Sequence, residues 1–316
     1  MTSYHDASNV YGSTLEQSNN LRATIGGVLS ANLATRPGNL PPEDTTIDAC
    51  ILDPTDPNDY CPLGGDHRIS EVVFLGANHV TWLRMHNLIA NELRSFGNGW
   101  SEERLFQETR KIIGALQQHI TYDEYLPAML NLNYRSAFCL TPSCQVYSSQ
   151  INGAIKNSFS TAVLRMGHSQ IPSAIGYVSP NHNSISNFPL RNHFNRPNLY
   201  IREGGTRVDD MQRYVTSQGA AATDRQLELE IADHLFTDGV LSFDLGALNI
   251  QRGRDHGHHN DIDLYAGALS ETPVPGGELG PTFSCLFALQ LRDLKVGDRF
   301  FWSRPDPVTG FTAGIT

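Results

Sequence analysis

Apolar residues recur at helical spacing along most of this chain. Between residues 70 and 94 the repeat is carried by Val72, Val73, Val80, Leu83, Leu88, Ile89 and Leu93, and between 101 and 120 by Leu105, Ile112, Ile113, Leu116 and Ile120. Such a pattern predicts two long amphipathic helices, separated by the glycine-containing turn FGNGW. Ser101 is placed to cap the second helix, with Glu102 and Glu103 beside the positive end of its dipole. A third amphipathic segment, residues 224–237 (DRQLELEIADHLFT), follows the spacer SQGAAAT, and Thr223 or Asp224 can supply its cap oxygen. In the segment 157–172 (NSFSTAVLRMGHSQIP), Phe159, Ala162, Val163 and Met166 mark one helical face, and Leu164, His168 and Ile171 mark its neighbour. Strand signals are sparse. Pro/Asn/Ser-rich stretches such as 178–197 read as surface loops. The expected architecture is mainly α, in one domain spanning 1–316.

Composition narrows the classes of function. The 316 residues are 18% charged and 40% hydrophobic, with no apolar run of membrane-spanning length. The formal net charge of −10, without a basic stripe, argues against nucleic acid or an anionic membrane surface as a partner. The first residues show no charged stretch leading into an apolar one, so no signal peptide is expected here. Of the five cysteines, Cys50 and Cys61 flank a Pro/Asp-rich loop and Cys139 and Cys144 lie close together. Two local disulfides suit an oxidising compartment. Cys285, in the apolar run TFSCLFAL, is expected to pack as a small hydrophobe. No C-x-x-C pair points to zinc.

His168 carries the most chemistry. On a helix it would face a semi-apolar cleft, with Gly167 removing a side chain beside it, so that a flat macrocycle could approach the backbone. Arg165, three residues earlier, would lie on the same side, where its guanidinium could pair a carboxylate of that macrocycle. A histidine there is suited to ligating haem.

Three further segments extend this pattern: LGGDHRISE (63–71), ETRKIIGALQQHITYDEYLP (108–127) and LNIQRGRDHG (248–257). In this order with the His168 segment, they resemble the animal haem peroxidases, the family that includes myeloperoxidase and thyroid peroxidase. The opening TSYHDASNVYGS and the late DIDLYAGALSETPVPGGELGPTFSCLFALQLRDLKVGDRFFW are similar to it as well. The resemblance implies a helical haem-peroxidase fold and a haem b held by His168 as axial iron ligand. Asn249 would orient that histidine, and Arg165 and Arg252 would pair the haem propionates. It makes Arg68 the catalytic cation of the peroxide site and Glu71 the carboxylate that can be esterified to haem. Val72 stands where myeloperoxidase has a methionine that makes a further haem link. Thr2, Tyr4, Asp6 and Ser8 match the family's Ca2+ loop, with oxygen ligands at alternate residues.

The chain also departs from that pattern. No segment matches the helix that carries the family's distal histidine and a further Ca2+ aspartate, so the fold is expected to be incomplete at its N-terminus and the calcium site weak or lost. Neither His67 nor His5 sits in a matching motif. Loss of such an acid/base would cost about 10²–10⁴ in rate. In DHGHHNDIDLY only three residues separate two motifs that the family holds far apart, which implies an internal deletion near 257–261. The cluster of Asp255, His256, His258, His259, Asp261 and Asp263 also reads as a metal site, but a junction across that deletion explains it better.

By resemblance, the function is peroxide reduction coupled to oxidation of a halide or small organic donor, in defence or the response to oxidative stress, and extracellular. The alternative is a catalytically impaired haem-binding or interaction protein.

Overall fold

The computed structural model describes residues 2–31, 40–45, 50–97, 99–237, 240–257, 261–308 and 310–311. Six longer helices organise it. Helices α1 (Val73–Ser95) and α2 (Glu102–His119) are the two that the hydrophobic repeat predicts. Ser101 caps α2, its hydroxyl accepting from the Arg104 backbone N–H at 3.3 Å. The repeat resolves into faces: Val73, Val80 and Leu83 are buried on α1 while Leu88 is exposed. Beyond α2 the chain continues through a π-helical turn, Ile120–Tyr125, into the short helix Leu126–Met129. Helices α3 (Arg207–Ser217), α4 (Leu245–Asp255), α5 (Asp261–Leu269) and α6 (Pro281–Gly297) follow.

Two expectations of secondary structure are corrected. The 224–237 segment is not one helix but a single turn, Leu229–Ala232. Asp224 instead accepts from the Gln226 N–H at 2.7 Å, and Thr223 accepts from the Gln170 side chain. The local Asp224 turn competes with helix propagation, while Thr223 is held by a residue distant in sequence. The 178–197 stretch is not all loop. Strand β1 (Ala174–Val178) pairs antiparallel with β2 (Ile185–Pro189), Ile175 opposite Phe188, which makes the two-stranded sheet of the described residues. The fold is mainly helical, as expected.

Three apolar clusters hold the elements together. One surrounds α6, with Phe283, Phe287 and Leu291 packed on Leu126, Leu130, Phe159, Val163 and Met166. A second joins α1 to the hairpin and α3 through Val73, Val80, Ile175, Tyr200 and Met211. Here Gly76 is required by contact, because a β-carbon on it would stand 2.3 Å from the Tyr200 ring. The third packs Val10 and Tyr11 against Leu83, Phe106 and Ile113. Disulfides Cys50–Cys61 and Cys139–Cys144 clip two loops, with Cα separations of 5.6 and 5.2 Å. Cys285 is exposed, contrary to the expectation of a packed thiol, because α6 turns Phe283 and Phe287 inward on the opposite face. Among the described residues no helix is long and apolar enough to cross a membrane.

Candidate functional site

His168 lies on a 3₁₀ helix, Val163–Gln170, rather than on a continuation of the α-helix Asn157–Thr161. The chain changes helix type at Ala162, whose φ of −126° breaks the α-helical path. In a 3₁₀ helix residues three apart eclipse one another, so Arg165 and His168 share one side of the segment. Val163 and Met166 are buried in the α6 cluster and anchor the other side. Leu164 remains 57% exposed. A β-carbon on Gly167 would meet only the Gln170 side chain, at 3.8 Å, so the space beside this glycine is open.

Asn249 is carried to this segment on α4, where Asp244 caps the helix by accepting from Ala247 N–H at 3.1 Å. It is 1% exposed, and both ends of its amide are used. Its oxygen accepts from Arg165 Nη1 at 2.8 Å, and its Nδ2 donates to the Tyr265 hydroxyl of α5 at 3.1 Å. The resulting chain Arg165–Asn249–Tyr265 ties three elements together. Tyr265 lies in the DIDLYAG segment, where no local pattern marks it as a partner of Asn249.

His168 has a buried Nδ1 with no hydrogen-bond partner, and the Nε of Arg165 is likewise buried and unpaired. Burial first, and then the Arg165 charge, hold the imidazole down at about 4, with the nearby Asn249 amide acting in the opposite direction. The approach of Asn249 is thus electrostatically felt, while its oxygen is bonded to Arg165. His168 is a neutral ring with a lone pair available at ordinary pH. Burial and the Arg252 charge also lower the pKa of Arg165. The Arg252 charge is thus felt at Arg165, and among the described residues neither guanidinium forms an ion pair with a carboxylate, which is the setting for an anionic group.

The residues assigned to the opposite side sit on a different element. Arg68 is in the 3₁₀ turn His67–Ser70, where Asp66 accepts both its backbone N–H and its guanidinium, the closest approach being 2.6 Å. Asp66 is buried and Arg68 about half exposed, so the pair fixes the head of the arginine. Glu71 follows, its carboxyl raised above the usual range by burial. His67 is exposed, with its side chain 93% accessible. His79, overlooked in the sequence reading, is buried on α1 and held at about 4 by desolvation.

At the N-terminus Thr2 Oγ1 donates to Asp6 Oδ1 at 2.7 Å and lies 3.2 Å from the Tyr4 carbonyl and 3.4 Å from Ser8 Oγ. Alternate residues therefore turn their oxygens to one place. Of the histidine-rich junction, His258 and His259 and the side chains of Asp261 and Asp263 lie outside the described residues, while His256 Nδ1 bonds to Asn157 Oδ1 at 2.8 Å. No cluster of three or more His, Cys, Asp or Glu suited to a metal occurs among the described residues. A cavity of about 870 Å³ opens between α2, the N-terminal loop and the chain after α6, and none of the residues around His168 lines it.

A model described as animal haem peroxidase matches residues 1–260 and 257–314, two pieces that meet at the histidine-rich junction. A peroxidase-like protein of Margaritifera margaritifera is 34% identical over 99% of this chain and 46% of its own length. Thyroid peroxidase of Sus scrofa is 32% identical over 98% of this chain and 39% of its own length. The chain thus spans less than half of either relative. Peroxidase A from Dictyostelium discoideum superposes with a TM-score of 0.81 at 26% identity, covering 96% of this chain and 64% of that one.

Proposed function

Because the chain belongs to the animal haem peroxidase family, we propose that it binds haem b through His168 and serves the reduction of hydrogen peroxide, with a halide or small organic molecule as electron donor. The observation that carries this reading is the neutral ring of His168, held unprotonated by burial and approached by Asn249, beside the Arg165–Asn249 bond.

These residues fit the group. Open space beside Gly167 and the exposed apolar surfaces of Leu164 and Leu248 give a flat apolar ring something to cover. Arg165 and Arg252 supply positive charge for its propionates. When bound, haem would supply the electrons that reduce peroxide. The protein residues bind and orient. His168 keeps its lone pair because burial holds it unprotonated, and the packed Val163 and Met166 prevent the segment from turning away. Asn249, bonded at both ends, holds Arg165 at a fixed distance from the ring. Arg68, braced by Asp66, offers a cation to peroxide oxygens. Glu71, with its raised pKa, is the candidate for ester attachment to haem.

The loop of Thr2, Tyr4, Asp6 and Ser8 fits Ca2+, a hard cation that takes oxygen ligands. Asp6 is the one carboxylate among these four, which supports a weak site. The two disulfides support an oxidising, extracellular setting, and a role in defence or oxidative stress agrees with it.

The test is a haem titration of the full chain, followed through the Soret band, with wild type and His168→Ala compared before and after peroxide and donor are added. Stoichiometric binding and donor oxidation, both lost in the variant, are expected. Donor oxidation that persists in His168→Ala would remove the ligand assignment.

A further inference from the structure

Tyr11 and His86 are both wholly buried, and Tyr11 Oη lies 2.7 Å from His86 Nδ1. The other ring nitrogen, Nε2, is 2.9 Å from the carbonyl oxygen of Gly27. A carbonyl only accepts, so Nε2 carries the proton and the neutral ring presents a lone pair at Nδ1. The phenol must then donate to the imidazole. Other tyrosines differ in this respect: Tyr4, Tyr122, Tyr134 and Tyr177 donate to backbone carbonyls, which cannot take up a proton.

From this geometry we propose that Tyr11 and His86 form a redox pair in the core, able to hold one oxidising equivalent. A one-electron oxidant removes an electron from the Tyr11 phenol, and the O–H bond breaks as its proton passes to His86 Nδ1. The products are a neutral phenoxyl and an imidazolium, whose Nε2–H stays on Gly27 O. An electron donor reverses the step, and the proton returns from His86 to the phenol oxygen. The proposal rests on the peroxidase reading for its natural oxidant, a haem centre oxidised by peroxide.

The surroundings suit this chemistry. Burial disfavours an imidazolium at His86, lowering its pKa to about 4. An oxidised phenol is nevertheless a far stronger acid than any imidazolium, so the transfer still runs downhill. The phenol itself resists ionisation, because burial raises its pKa, and so the proton leaves only on oxidation. Phe106 packs edge-on against Tyr11 at 5.7 Å between ring centres and closes the pair from water, which slows quenching of the radical.

The experiment needs no haem. The full chain is oxidised in a flash by a photogenerated ruthenium(III) polypyridyl complex, and the phenoxyl is followed by transient absorption and high-field EPR in H2O and D2O. Expected are a tyrosyl signal carrying the shift of a phenoxyl that accepts a hydrogen bond, a slower onset in D2O, loss of that signal in Tyr11→Phe, and a yield at least about tenfold lower in His86→Gln. An unchanged signal in Tyr11→Phe, or a wild-type radical without the hydrogen-bond shift, overturns the proposal. Tyr265 also accepts a hydrogen bond, from Asn249, so Tyr265→Phe is the control, and loss of the shifted signal there rather than in Tyr11→Phe overturns the proposal. Failure of haem binding leaves this result untouched, and the two readings are thereby separated.

Discussion

Arg165 and Asn249 are 84 residues apart in sequence and 2.8 Å apart in space, joined by one guanidinium N–H donated to one buried amide oxygen. This bond registers the His168 segment against α4. It also determines which of the two polar partners is free to face a ligand.

Replacing Asn249 with Ala leaves the Arg165 guanidinium and the Tyr265 hydroxyl without that partner inside the core. The expected loss is about 1–3 kcal/mol in urea unfolding, the penalty for unsatisfied buried polar groups. Asn249→Asp is a sharper probe, since it keeps an acceptor for Arg165. An Ala variant as stable as wild type would mean that the bond does not register the two elements.

Arg165→Gln and Arg252→Gln should each weaken haem binding about tenfold, equivalent to about 1.4 kcal/mol. The comparison between them is informative because Arg165 is tied to Asn249 whereas Arg252 is exposed. Equal affinity in wild type and both variants, read from Soret titrations, would remove the propionate assignment.

His79 and His86 both have pKa values near 4, lowered from 6.5 by burial. Between those values the unfolded chain binds protons that the folded chain does not. Stability is therefore fully present above about pH 6.5 and falls as the pH drops towards 4. At about 1.4 kcal/mol per pKa unit, each histidine accounts for about 3 kcal/mol across that window. Urea midpoints measured at intervals from pH 7 to pH 4 should fall, and the slope should be shallower in His86→Gln. A wild-type midpoint independent of pH would contradict the burial of these rings.

Gly76→Ala places a methyl group against the Tyr200 ring, where neither partner can give way without moving α1. Destabilisation of about 1–3 kcal/mol is expected from such overpacking, visible as a lowered Tm. Gly97→Ala is the control for added bulk alone, because nothing lies within 4 Å of its β-carbon position, and its positive φ makes any loss there one of backbone strain.

Phe287→Ala empties the centre of the cluster that anchors the His168 segment, where the ring stacks on Phe159 at 5.8 Å. The cost is about 3–5 kcal/mol. Haem affinity should drop with it if Val163 and Met166 hold the segment in place. Unchanged affinity at reduced stability would separate the core from the site.

The long helices were legible in the residue pattern, because α1 and α2 each bury one face against a continuous core and so must repeat apolar residues at helical spacing. So were the family, through motifs whose residues are tied to one cofactor, and the two disulfide loops, whose cysteines are close along the chain. The rest came from packing between elements. Whether 224–237 would stay helical depended on polar bonds to Gln170 and Gln226, and whether His168 would sit on an α or a 3₁₀ helix depended on how Val163 and Met166 fit beneath α6. Which atom Asn249 would bond, and that Tyr265 and Arg165 would share it, followed from bringing α4, α5 and the His168 segment together. Those contacts join residues remote in sequence, and no local pattern encodes the distance between them.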